Sequence, residues 1–250
     1  MERMYYINHK IFEKGDTCSA LSFALKLRNQ DQSITTITLL VPQRDNYSDF
    51  LEELGVSVKQ CATHIIPNRW GVALQVHTVK TYNPGYIMEG NNSRELLISI
   101  GVPPKSLEAF LDKSKIKYWV IVPWLIGENE ELLRINEAID IKTGRAIMPN
   151  YRLDEKVKNA IEWLKSTSFP NEGFNHPNDK DRLKQMSNAL SFYKIQIDKE
   201  AIIHYCINNG ILYKSAYMIA DYFSRAQGRK FATDKDIDYK FLGDMMNRSR

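Results

Sequence analysis

Cysteine is scarce in this 250-residue chain: three residues, Cys18, Cys61 and Cys206, stand far apart with no CxxC pair among them. An odd, dispersed set excludes a disulfide framework and a zinc knuckle and fits reduced structural thiols. No apolar run approaches the roughly 18 residues of a membrane span. The opening MERMYYINHKIF lacks the apolar core and small-residue cleavage site of an export signal. A soluble cytoplasmic protein without membrane contact is therefore expected.

Linear catalytic signatures are missing as well. No two glycines stand two apart, which removes the GxGxxG turn that lets a backbone approach a pyrophosphate. The nearest approach to a P-loop, Gly85 to Gly90 in GYIMEGNN, continues with Asn91 and Asn92, so the lysine that reaches the terminal phosphates is absent. The chain is not expected to hydrolyse nucleoside triphosphates. It has no GxSxG elbow, no HExxH and no kinase-type loop.

Charge of one sign is also lacking. Residues 1–150 carry 17 basic against 17 acidic side chains, and residues 151–250 carry 17 against 13, so the net +4 lies in the C-terminal part. That is a mild bias rather than the clustered stripe of a nucleic-acid surface.

What is present has two textures. Up to about residue 148, short apolar runs alternate with helical periods: MYYINHKI, a helix in GDTCSALSFALKLRNQ opened by Asp16 or Thr17, SITTITLLVP, a short helix in DNYSDFLEELG, SVKQCATHII, GVALQVHTV, ELLISI, KYWVIVPW and the helix ENEELLRINEAI. This alternation predicts an α/β, Rossmann-like layered domain with a mostly parallel sheet over residues 1–148. After KTGRAIMPN every period is helical. Val157, Ala160, Ile161 and Leu164 share one face, then Leu183, Met186 and Leu190, then Ala216, Ile219, Ala220 and Phe223, so a helical domain is predicted over residues 149–250. Asp234, Asp236 and Asp238 have the one-three-five spacing of a calcium loop, but Tyr239 and Met245 stand where that loop needs Gly and Glu. A helix start capped by Thr233 accounts for them.

The run from IDKEAIIHYCINNG to IADYFSRAQGRKFATDKDI resembles the helical lid that follows the core of AAA+ ATPases. The likeness covers about a fifth of the chain and comes without Walker motifs, so no function is carried over from it.

Candidate binding residues follow from position. In an open α/β sheet, ligands sit beyond the carboxyl ends of the strands, near helix N-termini. Three segments qualify: Asp16, Thr17 and Ser19 at the first helix; the turn-rich loop with Asn83, Asn91, Asn92 and Ser93; and Trp124 beside Glu128 after KYWVIVP. Hydroxyls and amides suit a phosphate or ribose, and Trp124 could stack on a base. Each also has a plain reading, as helix cap, surface loop or core aromatic. His9, His64, His77 and His204 fall in apparent strands or a helix, as structural histidines do. His176 lies in a polar linker with Asp179, where Asn178 or Asp179 is read as the cap of the next helix.

Three functions fit. The first is a binding or regulatory protein that holds a nucleotide or small anionic ligand and couples to a protein partner or second copy. The second is an enzyme acting on a nucleotide or phosphorylated substrate through residues that converge only in the fold. The third is a nucleic-acid-associated protein using the mildly basic helical part. No cofactor is specified by any of these patterns.

Overall fold

The computed structural model describes residues 3–46, 51, 54–55, 65–66, 72–83, 94–112 and 115–248. The chain divides into two compact units, Met1–Pro149 and Asn150–Arg250.

The first unit is a layered α/β structure. Its described elements run β1 (Arg3–Tyr6), α1 (Lys14–Gln30), β2 (Ile34–Val41), β3 (Ile65–Ile66), β4 (Ala73–Thr78), β5 (Arg94–Ile100), α2 (Pro104–Leu107), β6 (Ile116–Val122), α3 (Glu130–Ile135) and β7 (Ile139–Asp140). They form one sheet in the order β3-β4-β2-β5-β6-β1-β7. Six strands are mutually parallel, and β3 joins β4 antiparallel at one edge.

Near-continuous apolar strands mark a sheet covered on both faces. β2 shows this, with every residue buried except Thr35. One face, from Ile37 and Leu39 through Ile98 and Ile100 to Val120 and Val122, forms a single core cluster with Ala20, Leu21 and Ala24 of α1. The opposite face buries Met4, Leu40, Leu97, Trp119 and Ile121. There the Trp119 indole N–H donates to Ser99 Oγ at 2.9 Å, so the largest buried side chain carries no orphaned donor.

The second unit contains α4 (Glu155–Thr167), α5 (Pro177–Phe192), α6 (Lys199–Asn208), α7 (Tyr213–Ala226) and α8 (Tyr239–Met246). Among the described residues from 150 onward every regular element is helical, and the apolar faces predicted from spacing are buried. No described helix is long and apolar enough to cross a membrane.

Helix starts differ from the sequence reading. α1 begins at Lys14 with Glu13 at the cap position, so Asp16 is its third residue, where its carboxylate accepts the Glu13 N–H at 2.9 Å. α5 begins at Pro177, whose missing N–H suits a first turn. The cap position is therefore His176, while Asp179 is buried and accepts from the Phe169 N–H and from Arg182, both at 3.1 Å. No helix starts at Thr233. Asp238 caps α8 by accepting the Phe241 N–H, and the Asp234 N–H donates to Asp181. Most of DNYSDFLEELG, and of SVKQCATHII with Cys61 and His64, lies outside the described residues.

One buried acid sits in the sheet without hydrogen-bond partners. Glu95 opens β5 fully buried, and neither carboxylate oxygen makes a hydrogen bond. Burial pushes its carboxyl up to about 7, against the smaller opposing influence of the nearby Thr38 and Tyr82 hydroxyls and of Lys115. The folded chain therefore keeps this proton to higher pH than the unfolded chain does. Stability from this site is greatest below the unfolded value near 4.5 and declines as pH rises to about 7. The loss amounts to about 3 kcal/mol by the size of the shift. Denaturant titrations should show Glu95→Gln flattening the decline and raising stability at pH 8; an unchanged profile would contradict the buried-acid account.

Candidate functional site

β1 and β6 lie side by side, yet their connections leave in opposite directions. From β1 the chain passes through α1 to β2, beyond β6 and β5; from β6 it passes through α3 to β7, beyond β1. Such a reversal opens a crevice at the carboxyl ends of the two strands. Their following loops are tied together by backbone bonds. The Phe12 N–H donates to the Trp124 carbonyl at 2.9 Å and the Ile126 N–H to the Lys10 carbonyl at 3.1 Å, with Ile11 bridging Leu125.

His9 fastens the same seam from below. Its Nε2 lies 2.8 Å from the Pro123 carbonyl oxygen and its Nδ1 lies 2.7 Å from Asp16 Oδ2. The His9 and Asp16 side chains are each only 6% exposed. Asp16 also accepts from the Glu13 N–H and has Lys142 Nζ at 3.5 Å. This carboxylate therefore fills the positive end of α1 from within, where a phosphate would otherwise sit. A phosphate-gripping strand–loop–helix presents Gly-Lys-Ser/Thr at its helix start. The β1–α1 turn presents Gly15-Asp16-Thr17, an acid where that cation would stand.

The remaining sequence candidates fall into three groups. Trp124 and Glu128 join Asp16 at the seam. The Trp124 ring is 43% exposed and stacks on Phe12 at 5.6 Å, 12° from parallel. Glu128 is turned inward on its own loop: one carboxylate oxygen accepts the N–H groups of Trp124 at 2.8 Å and Leu125 at 3.3 Å. Thr17 is buried under the helix start with its hydroxyl unpaired, whereas Ser19 is exposed and donates back to the Gly15 carbonyl. Asn83 follows β4, which β2, β5 and β6 separate from β1, so the structure does not bring it to this crevice. Asn91, Asn92 and Ser93 lie outside the described residues. In the second unit, exposed His176 faces Glu172 at 3.2 Å.

Between the ends of β1 and β6 and the start of α3 lies a cavity of about 420 Å³. Ile7, Pro123, Ile126, Leu133 and Ile147 give it apolar walls, and Glu130 and Arg134, ion-paired at 2.6 Å, sit on its α3 side. Tyr6 reaches it from β1, its phenol pushed up by burial and by the neighbouring Asp140 carboxylate. Asn129 also lines it. This side chain is 2% exposed, does not cap α3, and neither its oxygen nor its nitrogen has a hydrogen-bond partner. Sequence reading passed over Asn129, since an Asn before a helical run reads as a cap.

A second cavity, about 460 Å³, lies in the helical unit beside α4 and the end of α8. Its polar groups are paired among themselves: Asn159 donates to the Met246 and Arg248 carbonyls, and the Tyr205 hydroxyl donates to Glu162. Among the described residues no group of three or more His, Cys, Asp and Glu side chains is placed to hold a metal ion. The chain matches no known family, no curated protein and no solved structure.

Two residues of equal standing in the sequence separate here. Removing one partner of a buried ion pair costs about 3 kcal/mol or more, so Asp16→Ala should destabilise the first unit by that order. Ser19→Ala, an exposed change, should stay within about 0.5 kcal/mol of the parent. Equilibrium denaturation of the two variants checks the contrast, and equal losses would contradict the role given to Asp16.

Proposed function

We propose that this protein is a ligand-binding module that does not hydrolyse nucleotides, with a Rossmann-like first unit that holds a small molecule at the β1–β6 crevice. The observation that carries the reading is the 420 Å³ cavity at the carboxyl ends of two adjacent parallel strands whose connections diverge. Its volume is in the range of small-molecule sites, and its lining of apolar walls with few polar groups is the usual composition of one. Binding is favoured over catalysis because the titratable groups nearest the crevice, His9, Asp16 and Glu128, are committed to closing the two loops. A regulatory role, in the cytoplasm, with the helical unit answering to a protein partner or second copy, fits this arrangement.

The resemblance of the helical unit to an AAA+ lid supports a narrower form of the same reading. Asp16 at the start of α1 suits a relative of that architecture without phosphate-transfer chemistry. Purified protein should therefore release no phosphate from ATP or GTP above a denatured control. Steady release abolished by Asp16→Ala would overturn this.

The binding reading is tested by thermal denaturation with nucleosides, nucleotides and short oligonucleotides. A ligand at a hundred times its dissociation constant adds about 2.7 kcal/mol of stability. Ile126, 65% exposed at the cavity, offers a control. Ile126→Arg should abolish ligand stabilisation while leaving the unliganded melting temperature unchanged. Stabilisation that survives this variant would place the ligand elsewhere, and stabilisation by oligonucleotides alone would favour nucleic-acid association.

A further inference from the structure

Asn129 is the one wall residue of the β1–β6 cavity whose side-chain polar atoms are both buried and both without hydrogen-bond partners. A carboxamide offers an N–H donor and a C=O acceptor side by side, in one plane. Unpaired buried polar groups are rare in folded proteins, and each calls for an explanation. Here the backbone of Asn129 is fully employed, since its carbonyl accepts the Leu133 N–H at 2.9 Å to start α3. Its side chain is thus held at the cavity by a helix start that it does not cap.

The charges around it narrow what can lie against it. Glu130 and Arg134 neutralise each other, and both ring nitrogens of His9 face Pro123 and Asp16. The walls otherwise are aliphatic or proline. A phosphate or carboxylate entering this cavity would lose its hydration without gaining a cation that is not already paired. A neutral, flat ligand part with a donor and an acceptor on adjacent atoms meets both conditions, as an Asn side chain meets a base edge in direct readout.

We infer that Asn129 is the specificity residue of this cavity, pairing through its N–H and C=O with the cyclic amide or amidine edge of a neutral planar heterocycle of the nucleobase class. The inference rests on reading the cavity as a ligand site and goes further, by naming the edge that is recognised and the residue that reads it.

The test uses the full chain, isotope-labelled, titrated with adenosine, guanosine, cytidine and uridine at up to millimolar concentrations. For whichever binds, a base-N-methylated analogue lacking the donor is titrated alongside. The expected result is binding by at least one nucleoside, a shift of the Asn129 side-chain NH2 resonance, and at least about a tenfold loss with the methylated analogue. Asn129→Leu, similar in volume, should bind about tenfold more weakly and lose the discrimination, with a melting temperature no lower than the parent, because an unpaired polar group has been replaced by an apolar one. Asn129→Asp, which keeps the acceptors and loses the donor, serves if the leucine variant does not fold.

Parent-like affinity and discrimination in these variants would overturn the role of Asn129. So would an unmoved Asn129 NH2 signal while cavity methyl signals shift, the result expected if water satisfies the carboxamide. In either case the cavity itself would stand as a ligand site, provided that Ile126→Arg blocks binding. Absence of any nucleoside binding would overturn the inference alone if another small molecule shifts the cavity signals, and the binding reading with it if none does.

Discussion

The first unit depends on the insertion of β1 between β6 and β7. Arg3 to Tyr6 pair with Tyr118 to Ile121 on one side, and Tyr5 and Tyr6 pair with Ile139 and Asp140 on the other. More than a hundred residues separate these partners in sequence, so the sheet is completed only after nearly the whole unit has been ordered, at the entropic expense that long-range pairing carries. The crevice inherits this dependence. His9 to Pro123, Phe12 to Trp124 and Ile126 to Lys10 are all contacts across the same seam. The site is where the two ends of the unit meet, which is why its buried polar groups are spent largely on holding it shut.

Much of the layered architecture was legible in the sequence, because its cause is local. Strands buried on both faces read as apolar runs, and β2, β5 and β6 have that character over seven or eight residues. β7 was not legible, since a two-residue strand has no period and exists only because β1 offers it an edge. The helix starts failed for a related reason. An acid near the start of a helix is stabilising both at the cap and in the first turn, so residue type alone does not separate them. Asp16 and Asp179 both proved to be first-turn residues, and the start of α5 was fixed instead by Pro177.

The candidate site was legible in location and not in chemistry. The rule that ligands gather beyond strand carboxyl ends led to Trp124, Glu128 and the start of α1, and these do converge at one crevice. What each does there depends on neighbours more than a hundred residues away. Nothing in GDTCSA shows that His9 and Lys142 close on Asp16, and nothing in GENEELL shows that Asn129 turns to a cavity floored by β1.

The fate of the α1 N-terminus decides what kind of recognition is left to the crevice. Free N–H groups and an aligned dipole make a helix start a natural anion site, and a lysine beside it would complete a phosphate grip. With Asp16 there instead, the field reverses within a few ångströms, and Lys142 and His9 serve to offset the carboxylate rather than to attract a ligand. Recognition by charge is thereby replaced by recognition by shape and hydrogen-bond pattern. In a cavity whose walls are Ile7, Pro123, Leu133 and Ile147, the hydrogen-bonding capacity not already committed belongs largely to Asn129, and so a single carboxamide sets which face of a ligand is read.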